Sequence, residues 1–186
     1  DTTGLMDALG IKSAHIVGAS MGGMIAQEIA ISFPQRVRSL TSIMSTTGNP
    51  KVPPPTREAA AMLMAPPPTT KEEYITRFAQ TWKVLRVGHF PLDEAKDLER
   101  AERTFERGLN PNGVGRQLRA ILASGSRKPR LHAVKAPTLV IHGTVDPLVR
   151  PEGGKDTAAS IPGAKLLMIE GMGHAIPIPM WPEIID

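Results

Sequence analysis

Three residues far apart in the 186-residue sequence carry side chains that could do chemistry together: Ser20, Asp146 and His174. Gly18-Ala19-Ser20-Met21-Gly22 has the form G-x-S-x-G. It follows the apolar run Ala14-His15-Ile16-Val17 and precedes Ile25, Ile29, Ala30 and Phe33, which recur at helical spacing. A strand that turns abruptly into a helix holds its central side chain clear of the sheet. Small neighbours such as Gly18, Ala19, Gly22 and Gly23 let the two backbones approach. Ser20 is therefore expected to be a nucleophile, with the Met21 N–H as one donor of an oxyanion hole. The same Gly-rich turn also suits a phosphate cradle.

A serine nucleophile needs a base, and the base needs an orienting acid. Of the five histidines, His15 lies within the first strand and reads as a packing residue. His89 and His132 fall in or beside a helical stretch, and His142 ends a strand and shapes the loop after it. His174, in Gly171-Met172-Gly173-His174, follows the last strand on a loop whose glycines permit a sharp turn. It is the expected base. The acid is expected at Asp146, in His142-Gly143-Thr144-Val145-Asp146-Pro147, just past a strand end, where open parallel sheets collect their chemistry. Asp156 falls within a predicted helix and is expected to face solvent. The order Ser20, Asp146, His174 is the order this kind of elbow calls for.

The elements that must position these groups fall into three textures. Residues 1–48 read as helix end, strand, helix and strand, with strands at about 15–18 and 37–44. Residues 49–136 open with Pro53-Pro54-Pro55 and are interrupted by Pro66-Pro67-Pro68. Helical periodicity runs over Thr56–Met64, Lys71–Arg86, Asp93–Gly108 and Gly113–Ser124, with no strand pattern between. Strand texture resumes at 138–142 and 165–169, around a helix at Gly153–Ile161. Together these predict an α/β chain with a parallel sheet and a helical insertion.

Composition narrows the classes. The chain has no cysteine, hence no disulfide framework or thiolate site, which fits a reducing compartment and a cytoplasmic location. A hydrophobic share of 41% is too high for a disordered chain, and no apolar run nears the ~20 residues of a membrane span. Residues 49–135 hold 16 Lys+Arg against 9 Asp+Glu. These charges interleave along helices with almost no aromatics between, so they read as a solvated surface and no nucleic-acid partner is expected. No metal or cofactor is called for. Leu5, Met6, Ala8 and Leu9 before Gly10 read as the last turns of an amphipathic helix. Trp181-Pro182 opens a helical turn that Asp186 cuts short. Both ends suggest part of something longer.

The motifs resemble those of the α/β-hydrolase family. The words carrying the resemblance are the elbow Gly-Ala-Ser-Met-Gly-Gly, the acid loop His-Gly-Thr-Val-Asp-Pro and the base loop Gly-Met-Gly-His-Ala. Within the family the chain is similar to the aclacinomycin methylesterase-like branch, through Gly18–Met24, Trp82-Lys83-Val84-Leu85 and Pro137–Ile141. The resemblance implies a core of residues 1–48 and 137–186 under a helical cap, residues 49–136. It also implies a Ser20–His174–Asp146 triad acting on a small-molecule ester. Family members usually carry several strands and a His-Gly oxyanion loop before the elbow. Nothing here matches them, so the second oxyanion donor is expected upstream of residue 1, and the elbow strand is expected to have one open flank. The Met- and Ala-rich segment Ala59–Met64 suits an adaptable apolar pocket and equally suits ordinary helix packing. A cofactor-free perhydrolase or haloperoxidase-like activity would use the same triad. A ligand receptor or an inert fragment is the non-catalytic alternative.

Overall fold

A computed structural model describes residues 1–185. Four strands form one parallel sheet, β1 (Ala14–Ala19), β2 (Val37–Ile43), β3 (Thr138–Gly143) and β4 (Lys165–Ile169), in the order β1-β2-β3-β4. Ile16 stands opposite Leu40, and Ile43 opposite Ile141, which in turn faces Leu167. Parallel neighbours need crossovers, and helices supply them. α2 (Met21–Ser32) links β1 to β2, and α8 (Pro151–Ser160) links β3 to β4. The long link from β2 to β3 carries α3 (Arg57–Met64), α4 (Lys71–Arg86), α5 (Glu94–Glu106), α6 (Pro111–Ser124) and the short α7 (Lys128–Leu131). α1 (Thr2–Ala8) precedes the sheet and α9 (Trp181–Ile185) follows it. The expected helical turn at the C-terminus is α9; Asp186 lies outside the described residues.

Two apolar clusters hold the layers. Ala26, Ile29 and Ala30 of α2 pack on Leu40 with Leu131, Val134 and Ile161. Ile43, Ile141, Ile169 and Met172 form the second, near the ends of β2 to β4. Leu40 and Ile141 are fully buried, as central parallel strands require. Helix boundaries follow local signals. Thr56 accepts from Ala59 N, Thr70 from Glu73 N and Asp93 from Lys96 N, so these residues cap α3, α4 and α5. The helix expected to begin at Gly113 begins at Pro111, a residue suited to a first turn.

Two expectations change. His15 is exposed and shares a hydrogen bond with Ser39 Oγ at 2.7 Å, because its strand face has no layer over it. α1 buries Met6, whereas Leu5 and Leu9 are exposed, so only part of its apolar face is covered among the described residues. The Met/Ala-rich helix α3 sends Leu63 toward the cavity beside Ser20, whereas Met64 is exposed. β1 pairs with β2 and, among the described residues, with no other strand; Val17 is 65% exposed.

Candidate active site

Ser20 sits between β1 and α2 with φ 54 and ψ −121, a left-handed backbone rare for a residue with a side chain. The strain persists because the surroundings fix it. Ser20 N donates to Ile43 O at 2.9 Å, and its carbonyl accepts from Gly23 N at 2.9 Å. A Cβ at Gly18 would overlap the Gly22 carbonyl, so glycine there lets strand and helix cross. Met21 opens α2, and its N–H is among the first-turn donors that an α-helix leaves without an internal acceptor.

The structure brings Ser20, His174 and Asp146 together. His174 Nδ1 lies 2.8 Å from Asp146 Oδ2, and His174 Nε2 lies 2.9 Å from Ser20 Oγ. An ionised Asp146 only accepts, so Nδ1–H donates to it and Nε2 is left to accept from the serine hydroxyl. Asp146 is fully buried and His174 nearly so. The other carboxylate oxygen accepts from Leu148 N and Val149 N, both at 2.9 Å. These donors satisfy the lone pairs that burial would otherwise leave unpaired.

Both loops are locked by neighbours far away in sequence. His174 N donates to Leu85 O of α4 at 2.7 Å, and a Cβ at Gly173 would collide with that carbonyl. Gly171 N donates to Thr144 Oγ1 at 3.0 Å, joining the base loop to the acid loop. His142, fully buried, lies 2.8 Å from Val149 O through Nε2 and so shapes the acid loop as expected. Burial holds its imidazole below the ordinary value, outweighing the hydrogen bond to Val149 and the charge of Asp146.

Asp156 does lie in a helix, α8, but it does not face solvent. It accepts from Thr47 Oγ1 (2.6 Å), Asn49 Nδ2 (3.1 Å) and Lys128 Nζ (2.5 Å). Burial alone would raise its carboxyl, but these donors outweigh burial and hold it below the usual value. It therefore fastens the loop after β2 to the start of α7. Beside it, Arg127 is almost fully buried, donating to Gln27 Oε1 (3.0 Å), Ser124 Oγ (3.1 Å) and Thr46 O (3.0 Å). Desolvation lowers its guanidinium from the ordinary value, and a guanidinium keeps its charge near neutral pH. Neither clamp was apparent from local sequence signals.

A cavity of about 470 Å³ opens beside Ser20. Its wall comes from Met21 and Met24 of α2, Pro53–Pro55, Leu63, and α6 through Leu118 and Ile121. That is the size and apolar character of a small-molecule site.

Known proteins resemble the chain over most of its length. The family model described as alpha/beta hydrolase fold matches residues 2–179. The chain is 28% identical to the rhodomycin D methylesterase of Streptomyces peucetius, over 96% of this chain and 66% of the relative. It is 33% identical to a 2-hydroxy-6-oxononadienedioate/2-hydroxy-6-oxononatrienedioate hydrolase of Burkholderia vietnamiensis, over 92% and 59%. A solved meta-cleavage product hydrolase of Pseudomonas fluorescens superposes with a TM-score of 0.76 at 24% identity, over 98% of this chain and 65% of that one. The chain thus spans about three-fifths to two-thirds of the length of the relatives it matches. On its matched family model and its parallel sheet, the chain belongs to the α/β-hydrolase fold family.

Proposed function

We propose that the protein is a serine hydrolase that cleaves carboxylic esters through Ser20, His174 and Asp146. The observation that carries this reading is the unbroken line of hydrogen bonds, 2.9 Å from Ser20 to His174 and 2.8 Å from His174 to Asp146. Ser20 Oγ attacks the ester carbonyl carbon while His174 Nε2 takes the hydroxyl proton. The carbonyl oxygen gains the negative charge, and the Met21 N–H is placed to donate to it. As the C–O bond to the alcohol breaks, His174 returns the proton to the departing oxygen. Water then attacks the acyl-enzyme, His174 again takes and returns a proton, and the acid leaves with Ser20 restored. Asp146 holds the tautomer that leaves Nε2 free to accept.

Residues 49–136 act as a cap over this centre. Support comes from the cavity wall that α3 and α6 provide and from the Leu85 carbonyl that holds the His174 backbone. The named methylesterase relative favours an ester as substrate. A fluorophosphonate probe tests the reading directly: labelling that maps to Ser20 and vanishes in Ser20→Ala is the expected result. Folded protein that stays unlabelled and hydrolyses no p-nitrophenyl ester overturns it.

A further inference from the structure

The cavity beside Ser20 is lined by one charged residue among apolar and neutral ones: Arg150. Arg150 is half-buried, and every ion pair among the described residues uses some other cation. Glu152, the nearest acid in sequence, is exposed on the first turn of α8 and does not pair with it. Local structure gives no reason for a cation here. Arg150 is the N-cap residue of α8 and its side chain makes no cap hydrogen bond; N-caps favour Ser, Thr, Asp or Asn, and a positive charge at a helix N-terminus is disfavoured.

The backbone that presents it is rigid. Asp146 Oδ1 holds Leu148 N and Val149 N, and His142 Nε2 holds Val149 O, so the residue before Arg150 is fixed on both its amide and carbonyl sides. The same carboxylate that orients His174 thus sets where Arg150 stands. A guanidinium at an apolar wall has lost part of its water and, among the described residues, gained no protein acceptor, and a carboxylate is the group its planar fork matches best.

We propose that Arg150 binds a carboxylate that the substrate carries in addition to its ester, making the enzyme selective for half-esters of diacids or for esters with an acidic alcohol part. The proposal rests on the reading of Ser20 as the nucleophile of an ester hydrolase.

Two matched substrate pairs test it: p-nitrophenyl adipate with a free carboxylate against its methyl-capped form, and 4-carboxyphenyl hexanoate against phenyl hexanoate. The protein should prefer the anionic member of at least one pair. Arg150→Gln should cut that anionic-to-neutral kcat/KM ratio roughly 10- to 100-fold, mainly through KM. Arg150→Lys should restore part of the preference, because it keeps the charge and loses the fork. Equal use of charged and neutral members, or a preference that survives Arg150→Gln, overturns the proposal while leaving the ester hydrolase standing. Calorimetry of monomethyl adipate on the Ser20→Ala protein reads the contact without chemistry, and Arg150→Gln should weaken binding by the same factor. Binding that depends on Arg150 in a protein that hydrolyses no ester would overturn the hydrolase reading and keep the carboxylate site; binding indifferent to Arg150 would overturn the site.

Discussion

The sheet with α2 and the helices between β2 and β3 are built on different terms. α2 alone buries Gly23, Ala26, Gln27, Ile29 and Ala30. Over a much longer span, α3, α4 and α5 bury one residue each, Ala59, Leu85 and Ala101, and none of the described side chains of α6 is buried. The helical region is held instead by polar and aromatic contacts: the part-buried Arg86–Asp97 ion pair, Arg86 and Arg100 on the Trp82 ring, and the tilted contacts among Tyr74, Phe78 and Phe105. Such contacts are worth less than core burial and yield more easily. Ser20 and Asp146 hang on the stiff part, whereas much of the cavity wall and the carbonyl that anchors the His174 backbone hang on the soft part.

The largest effects should fall on the stiff side. Ser20→Ala and Asp146→Asn should each lower kcat about 10⁴-fold while the melting temperature stays near that of the parent. Wild-type turnover in either would break the contrast at its base. Next, Leu40→Ala, at a fully buried position, should cost about 2–5 kcal/mol in urea unfolding. Leu122→Ala, at 71% exposure on α6, should stay within about 0.5 kcal/mol. Comparable losses from the two would mean that the helices share the core's energetics. Hydrogen exchange sharpens the point: amides of β2 and β3 should exchange only by global opening, whereas those of α5 and α6 should exchange by local opening. Equal protection would erase the distinction.

The smallest effect concerns acid. The folded state keeps His142 neutral, since burial lowers its pKa. The unfolded chain takes up that proton as pH falls through about 6.5, so below that value the unfolded state gains and stability drops. Above it His142 contributes no slope. His142→Gln, which keeps a donor for Val149 O, should flatten the stability profile between about pH 5 and 7. An unchanged slope would assign it to other groups.

The stiff half was also the legible half. Ser20, Asp146 and His174 sit in short words whose glycines and strand context are local, and the strand expected at 165–169 is β4 because nothing interrupts its apolar run. Readings that depended on partners distant in sequence were less secure. Asp156 shows only a helix around it, and its partners Thr47 and Asn49 lie more than a hundred residues away. Arg127 reads as one surface cation in a basic stretch, yet Gln27, a hundred residues earlier, receives it in the interior. His15 misled because a strand position does not say whether its face is covered. Periodicity places helix starts at Thr56, Lys71 and Asp93, each within about one residue of α3, α4 and α5, and the structure adds the reason: Thr56, Thr70 and Asp93 accept from the backbone three positions on.

The hydrogen bond from His174 N to Leu85 O ties the backbone of the base to the far end of α4, one of the loosely packed helices. Warming frays such a helix before the sheet melts, and the anchor of the imidazole goes with it. The temperature ceiling of the proposed hydrolysis should then be set by α4, not by the core. Hydrolysis should fade several degrees below the circular-dichroism midpoint and return fully on cooling, so that heat acts first as a reversible off-switch and only later as a denaturant.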